Sequence, residues 1–317
     1  MRLNTTSTPF TAGLDLSNAH PYSRVSMNQV LAGNTHTATV KRVTPREMDA
    51  LLAGNKIIDD TWRILNKGSG NQRRAVIATE GESFKRMMVA RTEYDAGRDW
   101  GDIALTAARF QAGACGEMAA VSALLGAVSG IKQPVSILTS SMQDHTVAEI
   151  GDNRTRDRSV IVDAWPEFGR AMLREDYALL GNNPKVEDTY EPDNKAPRVR
   201  ERLLYDHKAS QADIDNAFVK QYPSYPKSGK KLADRILKDN AQYMFAQRHG
   251  AENLAVRYEG RESSGDTHTV DLNLTKDQFN RRLEQLGLDA KKGEPVSEKS
   301  GPGALRRLFG GGKNQTS

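Results

Sequence analysis

The chain has 317 residues, 38% of them hydrophobic and 27% charged, with a net charge of +5 and a single cysteine. That length can bury a sizeable core, and its small, interleaved basic excess does not point to nucleic acid as a partner. One thiol excludes an internal disulfide and a cysteine-rich metal site, and no apolar run approaches the roughly 20 residues that span a bilayer.

Fifteen of the first 40 residues are Ser, Thr or Asn, and Asp15 is the only acidic residue before Glu47. Residues 1–46 therefore read as disordered. A plain flexible tail and an uncleaved type III export signal, with a secretion chaperone as partner, both fit this composition. The start, Met1-Arg2-Leu3-Asn4, lacks the apolar stretch of a secretory signal, and Arg2 stands where myristoylation needs glycine.

Thr44-Pro45-Arg46-Glu47 has the form of a helix start, with an N-cap, a proline at the first helical position and an acid at the third. Met48, Leu51 and Leu52 continue it as an apolar stripe, and further helices are expected over 57–65 and 74–93, with Phe84, Met87, Met88 and Val89 in the core. A polar break over 97–102 leads into a helix over 103–110. The period then changes: 135–138, 145–150 and 159–163 read as strands. Beyond them come helices over 211–221 and 232–247, a hairpin of 253–258 with 268–274, and a helix over 276–286. The catalytic domain is expected to span 47–287, with its core at 103–170. Residues 288–317, basic and glycine-rich, read as a disordered tail.

The chemistry concentrates around the cysteine. In Gln111-Ala112-Gly113-Ala114-Cys115-Gly116-Glu117, the thiol falls at a loop-to-helix junction. Met118, Val121, Ser122 and Leu125 then recur at helical spacing. A cysteine in the first turn of a helix faces unpaired N–H groups and the positive end of the dipole, which favour a thiolate. The same N–H groups, Gly116's among them, can stabilise an oxyanion. Asp144-His145-Thr146-Val147 and Val162-Asp163-Ala164-Trp165 supply the other parts. If the strands pair with Ile150 opposite Arg158, His145 falls opposite Asp163, and a carboxylate there fixes the imidazole for proton transfer.

These three pieces, Gly113–Ala119, Asp144–Glu149 and Val162-Asp163, separated by 30 residues from Cys115 to His145 and 18 from His145 to Asp163, resemble the core of the transglutaminase-like superfamily. Peptide:N-glycanases carry a similar Cys-Gly-Glu and Asp-His-x-x-x-Glu pattern. The resemblance implies an α+β fold with a papain-like or transglutaminase-like core, in which a central helix starting at the nucleophilic cysteine packs on an antiparallel sheet. It implies Cys115 as nucleophile, His145 as base and Asp163 as orienting acid; the sequence lacks a Cys-x-x-Cys zinc pair and an evident calcium site, so no cofactor and no metal is expected. With the signal-like start, the whole is similar to bacterial type III effectors of the AvrPphE/HopX kind. Such a protein would be secreted into a host cell and act on a protein substrate as a cysteine protease, glutamine deamidase or transglutaminase. The alternatives are a non-enzymatic adaptor that binds a host protein and a protein of the bacterial cytoplasm.

Rival residues remain. His268, in Thr267-His268-Thr269-Val270, echoes the His145 motif and is the alternative base. Gln111 could assist the oxyanion, as the glutamine before the cysteine does in papain-like enzymes. Trp165 is either a pocket wall or core, and Glu117 reads as a cap. His207 and His249 read as solvated.

Overall fold

Thr44 closes the first long helix as its residue type requires. The Glu47 N–H donates to Thr44 Oγ1 at 3.1 Å and the Thr44 N–H donates to Glu47 Oε2 at 2.8 Å, a reciprocal capping box with a stabilising effect of about 1 kcal/mol. The computed structural model describes residues 39–94, 99–140, 142–152, 157–192, 202–203, 206–261 and 267–273. The expected export segment up to residue 38, the helix over 276–286 and the tail over 288–317 lie outside them.

Among the described residues the elements run β1 (Thr39–Val43), α1 (Pro45–Ile64), β2 (Gly68–Ser69), α2 (Arg73–Ala78), α3 (Glu82–Glu93), α4 (Trp100–Phe110), β3 (Ala112–Gly113) and α5 (Cys115–Ala127). They continue with β4 (Val135–Ser140), β5 (His145–Ile150), β6 (Val160–Val162), β7 (Met172–Leu173), β8 (Lys185–Tyr190), α6 (Gln211–Gln221), α7 (Lys230–Asp239), β9 (Ala255–Arg261) and β10 (Thr267–Asn273). The fold is α+β. Strands β7-β6-β5-β4-β8 form an antiparallel sheet, β1-β9-β10 a second sheet, and β2 pairs with β3 in parallel. Helix α5 packs on β5 and β4, and α1 packs on α5 and β6. All six residues of β5 are buried, so this central strand is covered on both faces.

Several expectations are corrected. The tail boundary at 46 falls inside ordered structure, because Thr39–Val43 pairs in parallel with Ala255–Arg261 more than 200 positions later. Helix α1 is continuous through 57–64, and its buried stripe is Met48, Leu51, Ile57, Ile58, Thr61 and Ile64, while Leu52 points outward, 45% exposed. The single helix expected over 74–93 is two, divided where Glu80 and Gly81 both take positive φ (52° and 89°), which no helix continues through. Phe84, Met87 and Val89 are buried and Met88 partly so. Helix α7 ends at Asp239, not 247: Asn240 Nδ2 donates to Ile236 O at 3.1 Å, and the chain leaves to meet Gln72 in a bridge at Phe245.

Two clusters fill the interior. The larger joins α1, α4, α5 and both main sheets; the smaller joins α3, α6 and α7 through Met87, Ile214, Phe218, Leu232 and Ile236.

Candidate active site

Cys115 is delivered by a tight sequence of backbone constraints. Gln111 ends α4 in the left-handed region, with φ 63°, and its N–H donates to Ala107 O at 2.7 Å. The chain then runs as β3 beside β2, with Ser69 opposite Gly113 and Gly70 N–H donating to Gly113 O at 2.8 Å. Gly113 is required for the next turn, since a Cβ there would lie 2.4 Å from Glu117 Cβ. Cys115 follows as the first residue of α5, half-buried.

This helix start is unlike those of α1, α4 and α6, whose N-caps Thr44, Asp99 and Ser210 accept from first-turn N–H groups. Ala114 has no side-chain oxygen, so the N–H groups of Cys115, Gly116 and Glu117 have no side-chain cap. Only the return half of a capping box exists, with Ala114 N–H donating to Glu117 Oε2 at 2.7 Å. Arg91 of α3 grips the same carboxylate with two bonds, Nε to Oε1 at 2.6 Å and Nη2 to Oε2 at 2.9 Å, and the Tyr94 hydroxyl donates to Oε1. Burial alone would raise the Glu117 pKa, but Arg91 and these hydrogen bonds reverse that and hold it at about 2. The Arg91 guanidinium, itself held above its ordinary range by Glu117 against the opposing pull of burial, stands within electrostatic reach of Cys115.

His145 opens β5 just after Asp144, which takes φ 46°, and the ring is 3% exposed. Its Nε2 lies 2.8 Å from Asp163 Oδ2 and 2.9 Å from the Tyr177 hydroxyl, which in turn donates to Asp163 Oδ2. Asp163 Oδ1 accepts the Trp165 N–H at 3.0 Å, which fixes the carboxylate from the other side. An ionised carboxylate can only accept, so Nε2 carries the proton and Nδ1 is the nitrogen left for the thiol. Burial would lower the His145 pKa, but the Asp163 charge and hydrogen bond, followed by Cys115, raise it to about 10.

The strand register differs from the expected one. Ile150 pairs with Val160, Glu149 with Ile161 and Ala148 with Val162, a slip of two residues. A slip of one would have sent Asp163 to the other face; a slip of two keeps it on the face of His145 but moves it to the diagonal. Asp163 closes the gap because it lies just past the end of β6.

Other residues singled out by sequence take varied places. Gln111 accepts from Arg86 Nη1 and donates to Asn66 Oδ1, both at 3.3 Å, so its amide is held in a knot between helices and loop. A Cβ at Gly116 would meet Trp100 at 3.9 Å, an ordinary contact, so packing against other elements does not require a glycine there. Trp165 is 7% exposed, packs at 4.8 Å from the His145 ring and edge-on at 5.3 Å from Phe245, and lines a cavity of about 30 Å³ with Trp62, Met118 and Gln72. It is therefore both core and wall. His268 pairs with Gly260 in the other sheet, apart from the sheet that leads to Asp163. His207 is exposed and His249 half-buried.

Sequence reasoning missed Tyr177, Arg91 and Asn71. Asn71 Oδ1 accepts from Ser69 Oγ at 2.7 Å and from Trp165 Nε1 at 2.8 Å, which orients the amide and leaves Nδ2 without a partner among the described residues. Continuing the β2–β3 register by two residues sets Asn71 level with Cys115. The run Gly68-Ser69-Gly70-Asn71 was the available signal, a glycine-rich turn that permits close backbone approach. Among the described residues no group of three or more His, Cys, Asp or Glu is arranged to hold a metal, and no helix is long and apolar enough to cross a membrane. Comparison with protein-family models, curated proteins and solved structures finds no match to this chain.

Proposed function

We propose that this chain is a cysteine-dependent acyl-transfer enzyme acting on amide carbonyls of proteins, built on a transglutaminase-like or papain-like core. The observation that carries this reading is the buried His145, bound through Nε2 to Asp163 and coupled electrostatically to the only cysteine. An imidazolium kept charged through neutral pH stabilises a thiolate beside it, which is the reactive form of the nucleophile.

Cys115 Sγ attacks the amide carbon, the C–S bond forms, and the carbonyl π electrons move to oxygen. The uncapped N–H groups at the start of α5 stabilise that oxyanion, and Asn71, whose Oδ1 is held by Ser69 and Trp165, joins them through Nδ2 in this reading. The Nδ1 proton of His145 passes to the departing nitrogen as the C–N bond breaks, leaving a thioester. Nδ1 then takes a proton from an incoming water or amine, whose attack releases the Cys115 thiolate and restores the ion pair. Water gives proteolysis or glutamine deamidation, and an amine gives transglutamination. Delivery into a host cell, directed by the N-terminal segment, completes the proposal.

Iodoacetamide near neutral pH tests it in the full-length protein. Rapid alkylation of Cys115 that is lost in His145→Ala supports the enzyme; an inert Cys115 overturns it and favours the adaptor that only binds a host protein. Intact mass of host proteins after incubation then separates cleavage from the small increment of deamidation. Export assays with residues 1–38 deleted test delivery separately.

A further inference from the structure

The triad reading leaves a fourth buried group at its centre. Tyr177 is 8% exposed, and its ring lies nearly parallel to the imidazole, at 18° and 6.5 Å between centroids. Its hydroxyl donates to Asp163 Oδ2 and sits 2.9 Å from His145 Nε2. One carboxylate oxygen thus serves two donors. Burial, then the Asp163 charge, push the Tyr177 pKa well above the usual tyrosine value, so the hydroxyl remains a donor over the whole working range.

What holds Tyr177 comes from a distant part of the chain. Tyr177 bridges antiparallel to Ala251, and Ala178 N–H donates to Gly250 O at 2.9 Å. The ring lies directly over Gly250, where a Cβ would fall 2.2 Å from Tyr177 Cε2. The same segment backs the other aromatic neighbour of His145. Phe245 packs against Trp165, Glu167 N–H donates to Gln247 O at 3.1 Å, and Phe168 N–H donates to Arg248 O at 2.7 Å. Residues 245–251 therefore form a strap behind both rings that flank the imidazole.

We propose that Tyr177 is a positioning residue that sets the basicity of His145 through Asp163, and that the strap 245–251 holds it there, with Gly250 as the contact that admits its ring. This rests on the triad reading. A donor on Oδ2 draws off part of the carboxylate's charge, so Asp163 pulls less strongly on the Nε2 proton. The imidazolium is then charged enough to stabilise a thiolate, yet acidic enough to protonate a leaving nitrogen. The other titratable groups facing His145 are Cys115 from α5 and Asp144 from the β4–β5 turn, with Arg91 of α3 reaching Cys115 and Asp144. None of these changes in the variants below.

The titration midpoint of the His145 imidazole is read by NMR in the full-length protein, with its signal assigned by loss in His145→Gln. In Tyr177→Phe the midpoint moves upward, by ~3-fold in proton affinity or ~0.5 pH unit. Placing 3-fluorotyrosine at 177, which keeps the shape but makes the hydroxyl a stronger donor, moves it downward. Gly250→Ala, which displaces the ring, follows Tyr177→Phe. A midpoint unmoved in Tyr177→Phe, or moved the same way by phenylalanine and fluorotyrosine, overturns the proposal. If Tyr177→Phe does not fold, the fluorotyrosine protein decides alone: a downward shift supports and any other result refutes. Cys115 alkylation is measured in the same samples. An inert wild-type thiol with these shifts intact refutes the triad and not the Tyr177 arrangement, whereas a reactive thiol without the shifts does the reverse.

Discussion

Asp163 lies 2.8 Å from His145 Nε2, although continuing the β5–β6 register one residue past Ala148 and Val162 sets it level with Val147, two places along β5. The carboxylate therefore reaches the ring from the end of a short strand, braced by the Trp165 N–H and the Tyr177 hydroxyl. Three donors on one buried carboxylate leave it no choice of orientation. The orientation of the ring is settled by that arrangement, with the Nε2 proton directed at the carboxylate.

Asp163→Asn follows directly. An asparagine brings no charge to hold the imidazolium and can present its NH₂ group to Nε2, so the ring loses its charge and no longer stabilises a thiolate beside it. Hydrolysis of p-nitrophenyl acetate should fall by ~10²–10⁴-fold, with a far smaller change in KM. A loss below tenfold in a folded protein would count against Asp163 as the orienting acid.

The ionisation of His145 also predicts how stability responds to pH. Its pKa is raised in the folded state, from 6.5 to about 10, by Asp163 and Cys115 against burial. The folded protein thus holds the proton more tightly than the unfolded chain. The stabilisation is fully present below the unfolded value and is lost as pH rises through the folded one. Urea denaturation between pH 6.5 and 10 should show wild type losing stability relative to His145→Gln across that interval. Parallel curves for the two proteins would contradict the charged pair.

The parts of this site that were legible in the sequence are the local ones. A helix start at Pro45 can be read from Thr44 and Glu47, and one at Cys115 from Gly113 and the stripe of Met118, Val121, Ser122 and Leu125, because caps, turns and apolar spacing act over a few residues. The shared face of His145 and Asp163 was legible as well, since strand alternation survives an even slip. The partners that arrive from far along the chain were not. Nothing near Tyr177 announces that Gly250 will lie beneath its ring, and Thr39–Val43 resembles tail until Ala255–Arg261 is placed beside it. The surroundings of Gln111 were hidden for a related reason: Arg86 and Asn66, which bond its amide, are both distant in sequence.

Asn71 offers a test of the oxyanion site that leaves the triad untouched. Its Oδ1 is held by Ser69 and Trp165, so Asn71→Asp keeps an acceptor for those two bonds while replacing the NH₂ donor with a negative oxygen. Removing one oxyanion donor costs about 10²–10³ in kcat, and placing a charge there should cost at least as much. Iodoacetamide alkylation of Cys115, which forms no oxyanion, should fall by less, through the cost of a thiolate beside the new carboxylate alone. Equal losses in ester hydrolysis and alkylation would assign Asn71 to holding Trp165 alone.

Glu117 should prove more costly to disturb than any other carboxylate near the thiol. It is 3% exposed and bonded to Arg91, Tyr94 and the Ala114 N–H. Glu117→Ala takes this carboxylate from the partly exposed Arg91 guanidinium, a loss of about 3 kcal/mol, and frees the helix start that carries Cys115. Glu117→Gln keeps the shape and part of the hydrogen bonding but not the charge, so it should lose less stability while still slowing Cys115 alkylation. Its pH dependence has the opposite sign to that of His145. Because the folded pKa is depressed to about 2, the stabilisation is complete above the unfolded value of 4.5 and disappears as pH falls through about 2. Denaturation midpoints of wild type and Glu117→Gln should therefore converge on acidification below pH 4.5. A constant gap between them down to pH 2 would show that Arg91 does not hold this carboxylate ionised, and that the anchor of the cysteine helix lies elsewhere.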